Sequence, residues 1–164
     1  MIKTVNSAGG SKGNGGAVTV ETVANILERE LPNLIEEWLV RVEKEKDLMH
    51  IKLNHEERTG HLPYLMHDVI GRLSLDAETN APISKAAAAH GDLRHKQGYT
   101  VAMLVEESRL LQVSIFRTMH KHASHLKYSS LLLDVVTIAD EVDAQLKQQV
   151  LRFAAADAAG NASK

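Results

Sequence analysis

A chain of 164 residues, 44% apolar and 24% charged, is long enough to bury one real core and fits a single domain. A net charge of −2 with both signs interspersed gives no basic field to recruit nucleic acid, and the lack of cysteine excludes disulfides, cysteine-ligated zinc and thiol nucleophiles together. No apolar run approaches the roughly 20 residues that span a bilayer. Met1–Gly16 has no continuous apolar segment of the secretory kind. The expectation is a cytoplasmic protein that binds neither membrane nor nucleic acid.

Residues 1–18 contain SAGGSKGNGG at Ser7–Gly16, too poor in apolar surface to offset its ordering entropy, and read as a flexible leader. Helical periodicity begins at Thr19 and runs to Leu31, with Val20, Val23, Ile26 and Leu27 on one side. Pro32 then suits the first turn of a second helix carrying Leu34, Ile35, Trp38, Leu39 and Val42. Asn54 followed by Glu57 is a capping-box start. Beyond the turn at His61, Pro63 opens a helix with Leu65, Met66, Val69, Ile70 and Leu73. Pro82 opens another through Ala86 to His95, closed by Gly98 as a left-handed cap.

Two long helices complete the chain, about Tyr99–His125 and Ser129–Ala156, the second with Val135, Ile138, Val142, Leu146, Val150 and Phe153 spaced by threes and fours. Residues 157–164 read as a frayed tail, which leaves 19–156 as the folded body. Nothing alternates with period two over a useful length. The predicted fold is all-α, globin-like or an antiparallel bundle of about six helices.

Catalytic and metal chemistry finds little purchase. His120 and His122 point about 200° apart on a helix and cannot share an ion, and no carboxylate in the same stretch completes a set with His122 and His125. No phosphate loop, G-x-G-x-x-G or G-x-S-x-G occurs. Adjacent carboxylates such as Glu36–Glu37 and Glu106–Glu107 diverge on their helices. No metal, no cofactor and no enzymatic activity are expected.

The unusual segment is His90-Gly91-Asp92-Leu93-Arg94-His95-Lys96-Gln97-Gly98-Tyr99. His90, Arg94 and Gln97 share one helix face, just after the small-residue run Ala86–Ala89 that permits close helix packing. An antiparallel return after Gly98-Tyr99 brings Glu107 towards Arg94 or His90, with Arg109 nearby. The expected polar cluster, structural or signalling, is His90, Arg94, Gln97, Tyr99, Glu107 and Arg109.

The stretch HGDLRHKQGYTVAMLVEESRLLQVSI also resembles the RsbRD-type N-terminal domain of RsbT kinase co-antagonists and of sensor histidine kinases. The matching positions are His90-Gly91, Arg94, Gln97-Gly98-Tyr99, Leu104, Glu107, Arg109, Leu111 and Ile115, with Ser108 where that family has an aromatic. Trp38 and Arg58-x-x-His61-Leu62-Pro63 upstream are similar as well, so the resemblance covers about Val20–Arg152. It implies a dimeric sensory domain, related to non-haem globins, that passes a signal to a kinase or other output-domain partner. The chain is then either a free-standing sensory subunit or a fragment of a larger regulator. Two alternatives compete with that reading. A haem-binding globin-like sensor has histidines for the iron but few aromatics to wall the ring. A histidine phosphotransfer protein would use His125-Leu126-Lys127-Tyr128, where Tyr128 replaces the glycine of such segments. A homodimer is expected, with the Val135–Phe153 stripe of the last helix or its neighbour at the interface.

Overall fold

The computed structural model describes residues 20–75, 79–80 and 82–162; the leader expected over 1–18 lies outside them. The described residues form an all-helical bundle with the order α1 (Val23–Val42), α2 (Lys46–His50), α3 (His55–Thr59), α4 (Leu62–Leu73), α5 (Lys85–Lys96), α6 (Val101–Lys121) and α7 (Tyr128–Ala162), with a 3₁₀ turn at Ala123–His125. Among the described residues, no helix is long and apolar enough to cross a membrane. α1 packs on α6 and α4, while α7 lies along α5 and also touches α4 and α6. The core is built from Ile26, Leu27, Leu34, Trp38, Leu48, Met66, Leu104, Ile115 and Ile138, all fully buried.

α1 is one helix, not two. Thr22 caps its start, its hydroxyl accepting the Asn25 N–H at 3.2 Å, and Pro32 sits inside it. Proline removes one helical hydrogen bond and crowds the carbonyl four residues back, here that of Glu28. Both Pro32 and Glu28 are exposed, so water meets the freed carbonyl. Meanwhile the buried face Ile26–Leu27–Leu31–Leu34–Trp38–Val42 runs unbroken past the proline, and its packing carries the helix through. Before it, Glu21 donates its N–H to the His125 carbonyl at 2.7 Å, which ties the start of α1 to the α6–α7 link.

The capping box at α3 forms as the sequence predicts, Glu57 N–H to Asn54 Oδ1 at 2.9 Å and Asn54 N–H to Glu57 Oε2 at 2.8 Å. α2 is a single short helix that periodicity did not reveal, anchored by the buried Leu48. α5 begins three residues after Pro82, capped by Ser84, whose hydroxyl accepts the Ala87 N–H at 2.9 Å. α7 continues to Ala162, beyond the end expected at Ala156 and into the segment expected to fray. Its end is rich in alanine, the residue of highest helix propensity, and Arg152 and Asp157 reach back to Asp92 and His95 of α5.

The Val135–Phe153 stripe faces inward. Ile138, Val142 and Phe153 are buried, and Val135, Leu146 and Val150 pack against the core. Where α5 crosses α7 the backbones nearly touch: a Cβ on Gly91 would lie 2.3 Å from the Gln149 carbonyl oxygen and 2.9 Å from its Cα. Gly91→Ala is therefore expected to cost about 1–3 kcal/mol by forcing the helices apart. Gly71→Ala, at an exposed position in α4 whose Cβ would meet nothing within 4 Å, is expected to gain about 0.5–1 kcal/mol. Urea denaturation of the two variants against the parent checks the opposite signs.

Candidate functional site: a buried arginine–glutamate lock

Arg94 is completely buried, and its environment explains how. α5 ends in a left-handed cap at Gly98 (φ 81°), with the Gly98 N–H on the His95 carbonyl at 3.1 Å and the Tyr99 N–H on the Arg94 carbonyl at 3.0 Å. This double closure is the Schellman motif, in which the residue after the glycine folds back over the last turn of the helix. Here the residue folded back is Tyr99, and the Arg94 guanidinium lies 4.7 Å from its ring centroid. A backbone cap thus creates a cation–π contact.

Each N–H of the guanidinium finds an acceptor. Nε donates to Glu107 Oε2 at 2.9 Å, and Nη1 to Gln97 Oε1 at 2.7 Å and to the Glu57 carbonyl at 3.1 Å. Nη2 donates to the Arg58 carbonyl at 3.0 Å and faces His61 Nε2 at 3.4 Å. The two carbonyls belong to α3, so Arg94 satisfies polar groups that a five-residue helix leaves open at its C-terminal end.

Glu107 is equally committed. Oε2 takes Arg94 and lies 3.4 Å from His90 Nε2, and Oε1 accepts the Tyr99 hydroxyl at 2.8 Å. Its backbone carbonyl accepts the Trp38 indole N–H at 3.2 Å, which joins α1 to the cluster. Arg58, also buried, donates to the Tyr99 oxygen at 3.2 Å and to the Ile51 carbonyl at 2.8 Å. Burial alone would raise the Glu107 carboxyl, but the His90 hydrogen bond and the Arg94 charge hold it below the usual carboxylate range. Burial pushes the Tyr99 phenol up.

His61 and His90 stack with centroids 4.0 Å apart and planes 21° from parallel. Burial drives both below the ordinary histidine range; for His61 the neighbouring His90 and Arg94 add to this, whereas for His90 the Glu107 contact only partly opposes it. Both rings are neutral at pH 7, and their neighbours assign the tautomers. His90 Nε2 faces a carboxylate and carries its proton, whereas His61 Nε2 faces an arginine N–H and accepts, leaving its proton on Nδ1.

Five of the six expected residues meet: His90, Arg94, Gln97, Tyr99 and Glu107. Arg109 does not. It is exposed and pairs with Glu106 through Nε at 2.9 Å, because two residues from Glu107 is the far side of α6. Arg58, His61 and Trp38 complete the cluster. Helical spacing places Trp38 on a buried face and puts a turn at His61, but no local spacing links these residues or Arg58 to α5 or α6.

A cluster of donor atoms does form here: one each from His61, His90 and Glu107 lie within 4.8 Å of one another. Sequence spacing missed it because the three come from different elements. A cation would nonetheless fit poorly. The in-plane lone pairs of two near-parallel rings do not converge, both Glu107 oxygens already hold donors, and Arg94 places a positive charge at the same point. Elsewhere, His122 lies 3.5 Å from Glu30 of α1, a carboxylate its own stretch does not supply, and His125 sits in the 3₁₀ turn. A further buried polar row on α7, unforeseen from the apolar stripe beside it, contains Glu141, Gln145 and Gln149. Gln145 donates to Glu141 at 3.0 Å and to the Leu65 carbonyl at 3.1 Å.

The chain matches no protein-family model, no curated protein and no solved structure.

Removing Arg94 strands a buried carboxylate, so Arg94→Ala is expected to cost about 3–5 kcal/mol, against less than about 1 kcal/mol for Arg109→Ala at its exposed pair. A double-mutant cycle of Arg94→Ala with Glu107→Ala, read by urea denaturation, is expected to show strong coupling.

The histidines set a pH dependence. Their folded pKa values lie below the unfolded value near 6.5, so the unfolded chain binds more protons once the pH drops under it. Stability is complete above pH 6.5 and falls as the pH falls, by up to about 1.4 kcal/mol per pH unit for each proton taken up. Glu107, depressed below 4.5, extends the loss in the same direction at lower pH. Urea midpoints at pH 7.5 and 5.5 should differ clearly, and His61→Gln combined with His90→Gln should flatten the difference.

Proposed function

We propose that the chain is a non-catalytic sensory and regulatory domain that dimerises and relays a signal to a kinase or another stress-response partner. The observation that carries this reading is the full commitment of the buried lock. Arg94, Glu107 and Tyr99 are engaged by one another and by Arg58, Gln97 and His90, so neither the carboxylate nor the phenol is free to serve as nucleophile or general base. A network of that kind suits two discrete packings better than turnover, because its members hold α1, α3, α5 and α6 to one another and must rearrange together. The resemblance to RsbRD-type domains supports the same reading, and it includes Trp38, Arg58, His61, His90, Arg94, Gln97, Tyr99 and Glu107, all members of this cluster.

With the Val135–Phe153 stripe turned inward, an apolar surface available for a second copy is the start of α7. Leu132, Leu133 and Val136 are exposed along its first turns, Leu132 at 77%. A homodimer through that face leaves the lock intact inside each protomer.

Light scattering at tens of micromolar tests the assembly. A dimer is expected, and Leu132→Glu with Val136→Glu should yield a monomer of unchanged helicity. A monomeric parent would refute dimerisation. The relay is tested on a kinase of the class that RsbRD-type domains regulate, by its phosphorylation rate with and without the domain. A rate that does not change with the domain would overturn it.

A further inference from the structure

The two sides of α5 are used differently. Gly91 meets α7 at backbone distance, whereas Ala86 and Ala89 turn towards the α3–α4 corner, where small side chains leave space instead of closing it. The result is a groove of about 640 Å³ between α5 and that corner, within the range of small-molecule sites. Gly60 and Tyr64 line one wall, and Ala86, Ala89 and Leu93 the other. His61 and His90 both border it, and they also line a small cavity of about 10 Å³ against Trp38 and Glu107, room for no more than a single water.

The histidines carry a second, independent observation. Among the described residues, neither His61 Nδ1 nor His90 Nδ1 has a hydrogen-bond partner, although both atoms are buried. Unpaired buried polar atoms are costly and ask for a partner. The tautomers fixed by Arg94 and Glu107 specify it, since His61 Nδ1 is a donor and His90 Nδ1 an acceptor. A hydroxyl satisfies both at once. A carboxylate has no proton for His90 and meets Glu56 and Glu57 in the groove wall, which outweigh Lys85; a protonated amine has no lone pair for His61.

We propose that the groove between α5 and the α3–α4 corner binds a small apolar alcohol or phenol, whose hydroxyl bridges His61 and His90. This rests on the sensory reading above and names the chemistry of its signal. Both Nδ1 atoms are shielded from solvent, so the hydroxyl reaches them only as the rings turn. The Nε2 end of each ring lies against the lock, and the turn shifts its contact with Arg94 or Glu107. Ligand occupancy and the state of the lock are thereby one equilibrium.

The test uses the full chain with phenol as probe and toluene and benzoate as comparisons, monitored through the histidine ring signals in NMR titrations. Phenol is expected to bind saturably, to move the His61 and His90 signals, and to bind about tenfold more tightly than either comparison, the worth of one well-made hydrogen bond. Ala89→Leu fills the exposed mouth of the groove without touching the lock. It should weaken phenol binding about tenfold or more, with helicity and melting temperature unchanged. No saturable binding at millimolar phenol, equal affinity for toluene, or indifference to Ala89→Leu would each overturn the proposal. The kinase measurement separates the two readings. Regulation without phenol binding removes the groove alone, whereas phenol binding with no effect on the kinase retains the site and removes the relay.

Discussion

The pairing of Arg94 with Glu107 is the interaction on which the rest of the arrangement depends. Two opposite charges, 0% and 4% exposed, sit 2.9 Å apart where the helices converge. Desolvating them costs several kcal/mol each, and the attraction between them recovers that only because every remaining hydrogen-bonding position is also filled. The filling groups come from all around. Tyr99 arrives through the cap of α5, the Glu57 and Arg58 carbonyls through the end of α3, and Gln97 from the last turn beside Arg94. An apolar pair of similar volume would hold the helices as well; the guanidinium adds a fixed set of hydrogen-bond directions.

Much of that cluster is legible in the sequence because it is local. His90, Arg94 and Gln97 lie on one face by helical spacing, and Gly98 marks the left-handed turn that sends Tyr99 back over Arg94. Glu107 comes in through an antiparallel return. The inclusion of Arg109 broke a rule that separates His120 from His122: residues two apart on a helix face away from each other. Arg58 and His61 are a different matter. They reach Arg94 across more than thirty positions, partly through a backbone carbonyl, and no side-chain pattern encodes a carbonyl.

The misjudged helices have equally specific causes. Pro32 punctuates the sequence, but the buried face from Ile26 to Val42 passes it on the other side, and tertiary packing outweighs one lost hydrogen bond. The apolar stripe of α7 is real, yet periodicity cannot say whether a stripe meets its own domain or a second copy. The discriminating sign was on the same helix. Glu141, Gln145 and Gln149 recur every four residues beside Ile138 and Val142, and a polar row that close to the stripe is buried with it, against α4 and α5.

α5 is packed almost without large apolar side chains. Its buried residues are Ala87, His90, Gly91 and Arg94, so burial of hydrocarbon contributes little to holding it. Backbone approach to α7 fixes α5 on one side and the lock fixes it on the other. The first tolerates no added atom at Gly91, and the second tolerates no unpaired charge. The hydrogen bonds of Arg94 and the close approach at Gly91 thus define the same single position of α5. Two discrete states with a small energy gap are the requirement of a relay. The stacked histidines are where the proposed relay would act on the lock, for they touch Arg94 and Glu107 with one nitrogen each while the other nitrogen of each ring has no partner among the described residues.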